Sequence, residues 1–213
     1  MSRTVIFANG HLPRLEAARA LLRPQDTLIA ADGGARHLLA LGLLPHLLVG
    51  DLDSLDAASL SHLEAAGVDI YRYPTDKDET DLELALRHAL EREPESILIV
   101  GALGGRLDQT LANLSLLTAP QFAGLDLRLD DGAEEAFFCR EQAKVQGRSG
   151  EVVSLLPWGG AVEGVITQGL RWKLSGETLY PHQSRGISNR MLGEAASVEI
   201  RGGLLLVVHE RKT

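Results

Sequence analysis

The sequence predicts two domains of different classes: an α/β domain with a parallel sheet and helices on both faces, then an all-β sandwich or barrel. In the N-terminal part, short apolar runs alternate with helical patterns, which is typical of parallel strands connected by helices. In the C-terminal part, Gly, Pro, Asp or Ser separates most of the apolar runs, which is typical of all-β domains. We place the predicted boundary so that the domains span residues 1–122 and 123–213.

In the α/β domain, strands and helices are predicted to alternate along the chain. The predicted strands are 5–8, 28–31, 46–49, 69–73 and 97–100, and the predicted helices are 12–22, 35–41, 57–66 and 81–92. The helix over 81–92 has the clearest pattern, because Thr80 and Glu83 form a capping-box pair just before an apolar face. That face contains Leu82, Ala85, Leu86, Ala89 and Leu90.

The predicted strands after the boundary are 125–129, 136–139, 152–156, 162–166, 195–200 and 204–209. Cys139 lies in one of these apolar patterns, so we expect it in the core rather than at a reactive site. His182 and His209 lie in the β part without a carboxylate at a ligand-like spacing, so we do not expect the histidines to form a metal-ligand set.

Composition excludes several classes of protein. With 213 residues, of which 45% are hydrophobic and 23% charged, the chain is predicted to be globular rather than disordered. One cysteine excludes an intramolecular disulfide framework and a cysteine-based zinc site. The formal net charge of −8 argues against bulk nucleic-acid binding. Without a signal-peptide pattern or an apolar run long enough for a membrane span, we expect a cytoplasmic protein with no membrane partner.

Acidic and glycine-rich segments follow several of the predicted strands. Asp32-Gly33-Gly34 follows the second strand, and Asp51-Leu52-Asp53 follows the third. Residues 76–81 lead from the fourth strand into the helix over 81–92, and residues 101–108 follow the fifth strand. Because parallel sheets bind ligands beyond the carboxyl ends of their strands, we expect these segments to surround one site.

The acidic residues of these segments have two interpretations. Asp51 and Asp53 can point the same way from an extended segment, and paired carboxylates suit Mg²⁺. Alternatively, Asp53 caps the following helix, and Asp78 and Asp81 only favour the dipole of the helix that begins there. Convergence of several acidic segments favours a bound cation, because uncompensated carboxylates repel one another.

The glycine-rich segment and two basic residues extend this prediction to an anionic ligand. Gly101 to Gly105 permits close approach of a phosphate or ribose, although it matches neither a Walker loop nor a dinucleotide fingerprint. Lys77 and Arg106 supply positive charge. The residues alone therefore predict a Mg²⁺-dependent nucleotide or phosphate site in the α/β domain.

Taken together, these segments resemble those of the thiamine pyrophosphokinase family. The resemblance runs through residues 31–35, 50–54, 76–81 and 104–108 and continues in the β domain at residues 186–189, in the order of the family. It implies a nucleotide- and Mg²⁺-binding catalytic α/β domain, a β-sandwich that binds thiamine and forms the dimer, and a homodimer with thiamine between the subunits. It also implies transfer of the β,γ-pyrophosphoryl group of ATP to the hydroxyl of thiamine, with release of AMP.

The resemblance assigns roles to residues of this sequence. The residues matching positions that hold Mg²⁺ and the phosphates are Asp51, Asp53 and Asp81, and Asp32, Gly33 and Gly34 belong to the same acidic corner. Those lining the nucleotide and the reacting centre are Lys77, Asp78 and Thr80. Those beside the nucleotide are Gly104, Gly105, Arg106 and Asp108. Those at the thiamine end are Ser188 and Asn189. One of Asp51, Asp53, Asp81 and Asp78 would accept the proton of the thiamine hydroxyl.

One position departs from the family pattern. We expect an aromatic residue shortly after the Ser-Asn pair to stack on the thiamine rings, and this chain has Arg190-Met191-Leu192 there. Met191 or Trp172 are the candidates to replace it.

Three other functions are considered. A nucleotide-sugar transferase would use Asp51-Leu52-Asp53 as a D-x-D metal clamp, but it leaves the second acidic segment and the Ser-Asn pair without a role. A non-catalytic nucleotide or thiamine sensor on the same scaffold would not need so costly a carboxylate cluster. A hydrolase that releases inorganic phosphate is the third.

Overall fold

The computed structural model describes residues 2–212, so Met1 and Thr213, at the outer ends of the two predicted domains, lie outside the described residues. The chain divides into two compact units, Met1–Gly132 and Ala133–Thr213. The strand predicted at 125–129 is present, but it extends the parallel sheet of the first unit instead of joining the β domain, because it pairs parallel with the strand at Ser96–Val100.

The first unit contains a parallel sheet of six strands in the order β6-β5-β1-β2-β3-β4. The strands are β1 (Arg3–Phe7), β2 (Thr27–Ala31), β3 (Leu47–Gly50), β4 (Asp69–Arg72), β5 (Ser96–Val100) and β6 (Asp126–Asp130). The helices are α1 (Leu15–Arg19), α2 (Ala35–Ala40), α3 (Ala57–Ala65), α4 (Asp81–Leu90) and α5 (Leu107–Leu116). Helix α1 is shorter than the predicted 12–22, and Pro13 excludes Leu12 from it because proline disfavours helical backbone at the residue before it.

Helices cover both faces of this sheet, as predicted. Successive strand residues point to opposite faces, so Val5, Phe7 and Leu28 share one face and Ile6 and Ile29 share the other. The first face packs in one cluster with residues of α1, α2 and α3, whereas α4 packs against β1, β2 and β3 without residues in that cluster. The predicted capping of α4 is also present, because the Glu83 backbone N–H donates to Thr80 Oγ1 at 3.2 Å.

The second unit is a sandwich of two antiparallel layers, in the orders β12-β9-β14-β7 and β11-β10-β13-β8. The strands are β7 (Glu134–Cys139), β8 (Gln142–Gln146), β9 (Val152–Pro157), β10 (Val162–Gln168), β11 (Ser175–Leu179), β12 (Asn189–Arg190), β13 (Ala195–Glu199) and β14 (Leu205–Glu210). Residues of both layers, Cys139 among them, form one core, and burial raises the pKa of the Cys139 thiol to about 11. The predicted α/β and all-β classes are therefore both confirmed.

Among residues 2–212, no helix combines the length and the hydrophobicity that crossing a membrane would require.

Candidate active site

A cavity of about 540 Å³ lies in the first unit, at the carboxyl ends of β1, β2 and β5 and before α4. Of the residues predicted for the site, those lining the cavity are Asp32, Lys77, Thr80, Asp81, Gly104, Gly105 and Arg106. Three of the four segments that the sequence placed at one edge of the sheet therefore line one cavity, whereas Asp51 and Asp53 do not line it.

Asp32 is held at this cavity in a strained and buried position. It begins a short 3₁₀ turn, Asp32–Gly34, with a φ of 45°, and only 5% of it is exposed. Its Oδ2 accepts a hydrogen bond from Asn9 Nδ2 at 3.5 Å, but its Oδ1 is buried without a hydrogen-bond partner among the described residues. A buried carboxylate oxygen without a partner is costly, and it suits a site that receives a cation.

Gly33 and Gly34 allow the Asp32 turn to pack closely against β1. A Cβ at Gly34 would lie 1.9 Å from the carbonyl oxygen of Phe7, and one at Gly33 would lie 2.3 Å from Asn9 Oδ1. Both glycines are buried and neither lines the cavity. The structure therefore gives them a role in positioning Asp32.

Asp51 and Asp53 face Asp32 across a turn rather than from the extended segment that the sequence suggested. Leu52 has a φ of 67° and is buried in the core beneath the turn. The Asp53 backbone N–H donates to Asp51 Oδ1 at 3.3 Å. As a result, one carboxylate oxygen from each of Asp32, Asp51 and Asp53 lies within 4.8 Å of the others. Strained backbone at Asp32 and Leu52 thus builds a three-carboxylate cluster, which we call the acidic cluster.

Gly50, the last residue of β3, leaves room for a fourth carboxylate beside this cluster. Its φ is +149°, and a Cβ there would lie 3.0 Å from Asp32 Cβ and 3.1 Å from Asp81 Oδ1. Asp32 and Asp81 can therefore approach the same point only because residue 50 has no side chain.

Lys77 connects Asp81 to the acidic cluster. Its Nζ lies 3.2 Å from Asp81 Oδ1 and 3.7 Å from Asp51 Oδ2, and it donates to the carbonyl oxygen of Pro74 at 3.1 Å. Burial raises the pKa of Asp81; Lys77 opposes this shift, and the charges of Asp32 and Asp51 add to it. Lys77 therefore pairs with both Asp81 and Asp51, and its contact with Asp81 is the shorter one.

Asn9, which the sequence analysis missed, connects the segments that carry Asp32 and Asp53 through hydrogen bonds. Its Nδ2 donates to Ser54 Oγ at 3.1 Å, and its Oδ1 accepts from Arg36 Nη2 at 2.6 Å. Ser54 Oγ in turn donates to Asp53 Oδ1 at 3.2 Å. The available signal was the Asn9-Gly10 pair directly after a buried strand, at the edge where the acidic segments were expected.

The glycine-rich segment forms an exposed rim. Gly104 and Gly105 have φ values of 76° and 82°, and a Cβ at Gly104 would meet nothing within 4 Å. The exposed guanidinium of Arg106 pairs with the exposed carboxylate of Asp108, which lowers the pKa of Asp108. Arg106 lines the cavity, whereas Asp108 and the exposed Asp78 do not.

A second cavity, of about 600 Å³, lies in the second unit and contains Trp172 and Asn189. The Asn189 side chain is buried and holds the backbone of Trp172: its Oδ1 accepts from the Trp172 N–H at 3.0 Å, and its Nδ2 donates to the Trp172 carbonyl at 2.7 Å. The indole is half exposed, with the Arg171 guanidinium 5.1 Å from its ring centroid. Asn189 thus presents Trp172 to the cavity.

Ser188 and Met191, on either side of Asn189 in the sequence, do not line the second cavity. Ser188 is exposed with a φ of 58°, and its backbone N–H donates to Ser154 Oγ at 3.0 Å, but it does not line this cavity. Met191 is 1% exposed and packs in the core of the sandwich, so it is not available to stack on a ligand. Of the two candidates for the missing aromatic contact, the structure leaves Trp172.

Comparison with known proteins identifies the family. The family model described as "Thiamin pyrophosphokinase, catalytic domain" matches residues 18–129, and the one described as "Thiamin pyrophosphokinase, vitamin B1 binding domain" matches residues 141–205. Thiamine pyrophosphokinase of Bacillus subtilis is 28% identical over 182 residues, which cover 84% of this chain and 85% of the relative.

Solved structures agree with these matches. The crystal structure of the Bacillus subtilis thiamine pyrophosphokinase superimposes with a TM-score of 0.89 at 24% identity and covers 100% of both chains. A thiamin pyrophosphokinase family protein from Enterococcus faecalis superimposes with a TM-score of 0.82 at 28% identity, again over 100% of both chains. The match to the catalytic-domain model alone spans more than half of the sequence, and the chain belongs to the thiamin pyrophosphokinase family.

Proposed function

We propose that this chain transfers the β,γ-pyrophosphoryl group of ATP to the hydroxyl of thiamine, giving thiamine diphosphate and AMP in a Mg²⁺-dependent reaction. The observation that carries this proposal is the acidic cluster of Asp32, Asp51 and Asp53, of which Asp32 lines a cavity together with Lys77 and Arg106. ATP and thiamine are the proposed ligands. The cytoplasmic homodimer and the absence of nucleic-acid and membrane partners stay predictions from the sequence.

The residues present fit a hard divalent cation. Mg²⁺ takes one or two carboxylates and leaves its other positions to water and phosphate oxygens, and the unpartnered Oδ1 of Asp32 faces no competing donor among the described residues. Asp32, Asp51 and Asp53 would hold the ion. The family resemblance assigned this role to Asp51, Asp53 and Asp81, and Asp81 lies beside the acidic cluster at Gly50. Bound there, it would offset negative charge on the phosphate oxygens.

The remaining groups bind and orient the reactants. Lys77 and Arg106 would hold the migrating pyrophosphoryl group, since transfer of this kind asks the protein mainly for positioning and charge neutralisation. Asp81 would accept the hydroxyl proton, because burial raises its pKa and a carboxylate with a raised pKa is a stronger base.

The decisive experiment is product analysis with purified protein, ATP and Mg²⁺, with and without thiamine and with and without EDTA. We expect AMP and thiamine diphosphate to form only when thiamine is present, and EDTA to abolish both products. AMP that forms without thiamine would point to another acceptor. Metal-dependent nucleotide binding without turnover would favour the sensor, and release of inorganic phosphate would favour a hydrolase.

Trp172 is proposed to stack on the rings of thiamine. We expect Trp172→Ala to raise KM for thiamine roughly 10-fold, because an indole face binds both aromatic rings and a cationic ring. KM for ATP is expected to stay unchanged. Steady-state kinetics with each substrate varied in turn measures both constants.

The second tryptophan provides the matched control. Trp158 packs edge-on against Phe138, 5.4 Å between ring centroids, and does not line the cavity, so Trp158→Ala is expected to leave both KM values unchanged. In Trp158→Phe, Trp172 becomes the sole tryptophan of the chain. Thiamine that fails to quench the fluorescence of this variant would contradict stacking on Trp172.

A further inference from the structure

We propose that Tyr73, held by His88 and Glu91, is a positioning residue that keeps Lys77 in place beside the acidic cluster. The effect of Tyr73 on turnover rests on the proposed function, in which Lys77 holds the pyrophosphoryl group. That the Tyr73 hydroxyl fixes Lys77 does not depend on which reaction the chain performs.

The side chains of Tyr73, His88 and Glu91 form a hydrogen-bonded series. The Tyr73 hydroxyl lies 2.9 Å from His88 Nε2, and His88 Nδ1 lies 3.1 Å from Glu91 Oε2. A carboxylate can only accept, so in the neutral ring Nδ1 carries the proton and Nε2 accepts from the Tyr73 hydroxyl. His88 is buried on α4, which makes it a fixed point for this hydrogen bond.

The backbone on both sides of Tyr73 leads into the site. The Tyr73 N–H donates to the carbonyl oxygen of Gly50, the residue before Asp51, at 2.9 Å. The next residue, Pro74, accepts from Lys77 Nζ. Lys77 in turn pairs with Asp81, the first residue of α4, the helix that also carries His88. Tyr73 thereby closes a ring of contacts that joins α4, the acidic cluster and the segment carrying Lys77.

The position of β4 at the edge of the sheet explains why the residues that follow it need these hydrogen bonds. Within the sheet of the first unit, β4 is the last strand and pairs with β3 on one side. All of its residues are exposed or half-buried. Packing of β4 alone therefore gives little restraint to the residues that follow it, and directional hydrogen bonds to a buried helix residue supply more.

The test compares two tyrosines that contact the same histidine. The Tyr71 ring contacts the His88 ring at a tilt, 4.5 Å between centroids, but of the two tyrosines only Tyr73 has a hydroxyl hydrogen-bonded to that ring among the described residues. We expect Tyr73→Phe to increase the acetylation rate of Lys77 about 3- to 10-fold in a brief pulse of acetic anhydride, in line with the loss of one hydrogen bond. Tyr71→Phe is expected to leave the rate unchanged. Peptide mass spectrometry measures it, with the exposed Lys173 as internal reference.

Turnover provides a second readout. Tyr73→Phe is expected to lower kcat per folded molecule about 3- to 10-fold, and this loss is expected to vanish when Lys77 is already Met, because the two residues act as one unit. His88→Phe, which removes the acceptor and keeps a ring, is expected to behave like Tyr73→Phe. An unchanged Lys77 acetylation rate in Tyr73→Phe overturns this proposal. Absence of AMP formation by the wild type overturns the proposed function and leaves the acetylation result valid.

Discussion

Asp32→Asn is expected to lower turnover by at least ~10²-fold, the usual effect of removing one electrostatic group at a reacting centre. The same substitution is expected to leave the free energy of unfolding in metal-free buffer unchanged or to increase it. Asp32 is buried close to Asp51 and Asp53, and its Oδ1 has no hydrogen-bond partner among the described residues, so its charge destabilises the folded state. Asparagine also tolerates the left-handed backbone at this position.

Loss of turnover without loss of stability distinguishes a functional carboxylate from a structural one. The matched control is Asp26, which precedes β2 just as Asp32 follows it and is also buried. Asp26 pairs with Arg3 at 2.6 Å, so Asp26→Asn is expected to lower the free energy of unfolding while turnover per folded molecule stays near that of the wild type. Urea unfolding in EDTA and steady-state kinetics measure the two effects. Full turnover in a folded Asp32→Asn protein would remove Asp32 from the site.

Much of the fold could be predicted because buried strands and helices leave the clearest hydrophobic patterns in the sequence. The strands β1, β2, β3 and β5 are almost fully buried and therefore read as apolar runs. The strands that the sequence did not reveal carry little of that signal. β8 and β11 consist largely of polar or small residues with few buried positions, and β12 has only two residues. Strand β6 was predicted as a strand, but it was assigned to the wrong sheet. A short apolar run does not show whether the strand pairs parallel or antiparallel with its neighbour.

The site shows the same division between local and distant information. In a parallel sheet the carboxyl ends of the strands lie at one edge, so the sequence could predict that the acidic segments following these strands meet there. The grouping of Asp32 with Asp51 and Asp53 depends on left-handed backbone at Asp32 and Leu52, a conformation that leucine rarely adopts. The role of Asn189 in holding Trp172 depends on contacts 17 residues apart in the sequence. Such contacts have no local pattern.

His209 is the residue whose environment the sequence concealed most completely. Its Nδ1 lies 3.0 Å from Glu135 Oε1 and its Nε2 lies 2.9 Å from Glu151 Oε2, although those residues are 74 and 58 positions away. The ring is fully buried and both carboxylates are almost fully buried. Two flanking carboxylates require a donor at each ring nitrogen, which only the protonated imidazole supplies.

The pKa shifts agree with this geometry. Burial disfavours a charged His209 and the Arg211 guanidinium near Glu135 adds to that, but the two carboxylates outweigh both and raise the pKa of His209 above 6.5. Burial likewise opposes the Glu151 carboxylate, but the backbone N–H groups of Arg148 and Lys212, together with His209, hold its pKa below 4.5. His209 therefore stabilises the fold fully below pH 6.5, and this contribution is lost as pH rises through its raised pKa. The contribution of Glu151 is present above pH 4.5 and is lost as pH falls through its lowered pKa.

His209→Gln is consequently expected to lower the free energy of unfolding at pH 6 by about 3–5 kcal/mol, the cost of removing one partner from a buried ion pair. The deficit is expected to shrink towards alkaline pH, because the wild type loses the same contribution as its imidazolium deprotonates. Urea unfolding of both proteins from pH 5 to pH 9 measures this convergence, and His62→Gln on the exposed side of α3 is the control that should show neither effect. A deficit of constant size across that range would mean that His209 acts through packing alone, since only a charge that titrates with the fold can make two stability curves converge.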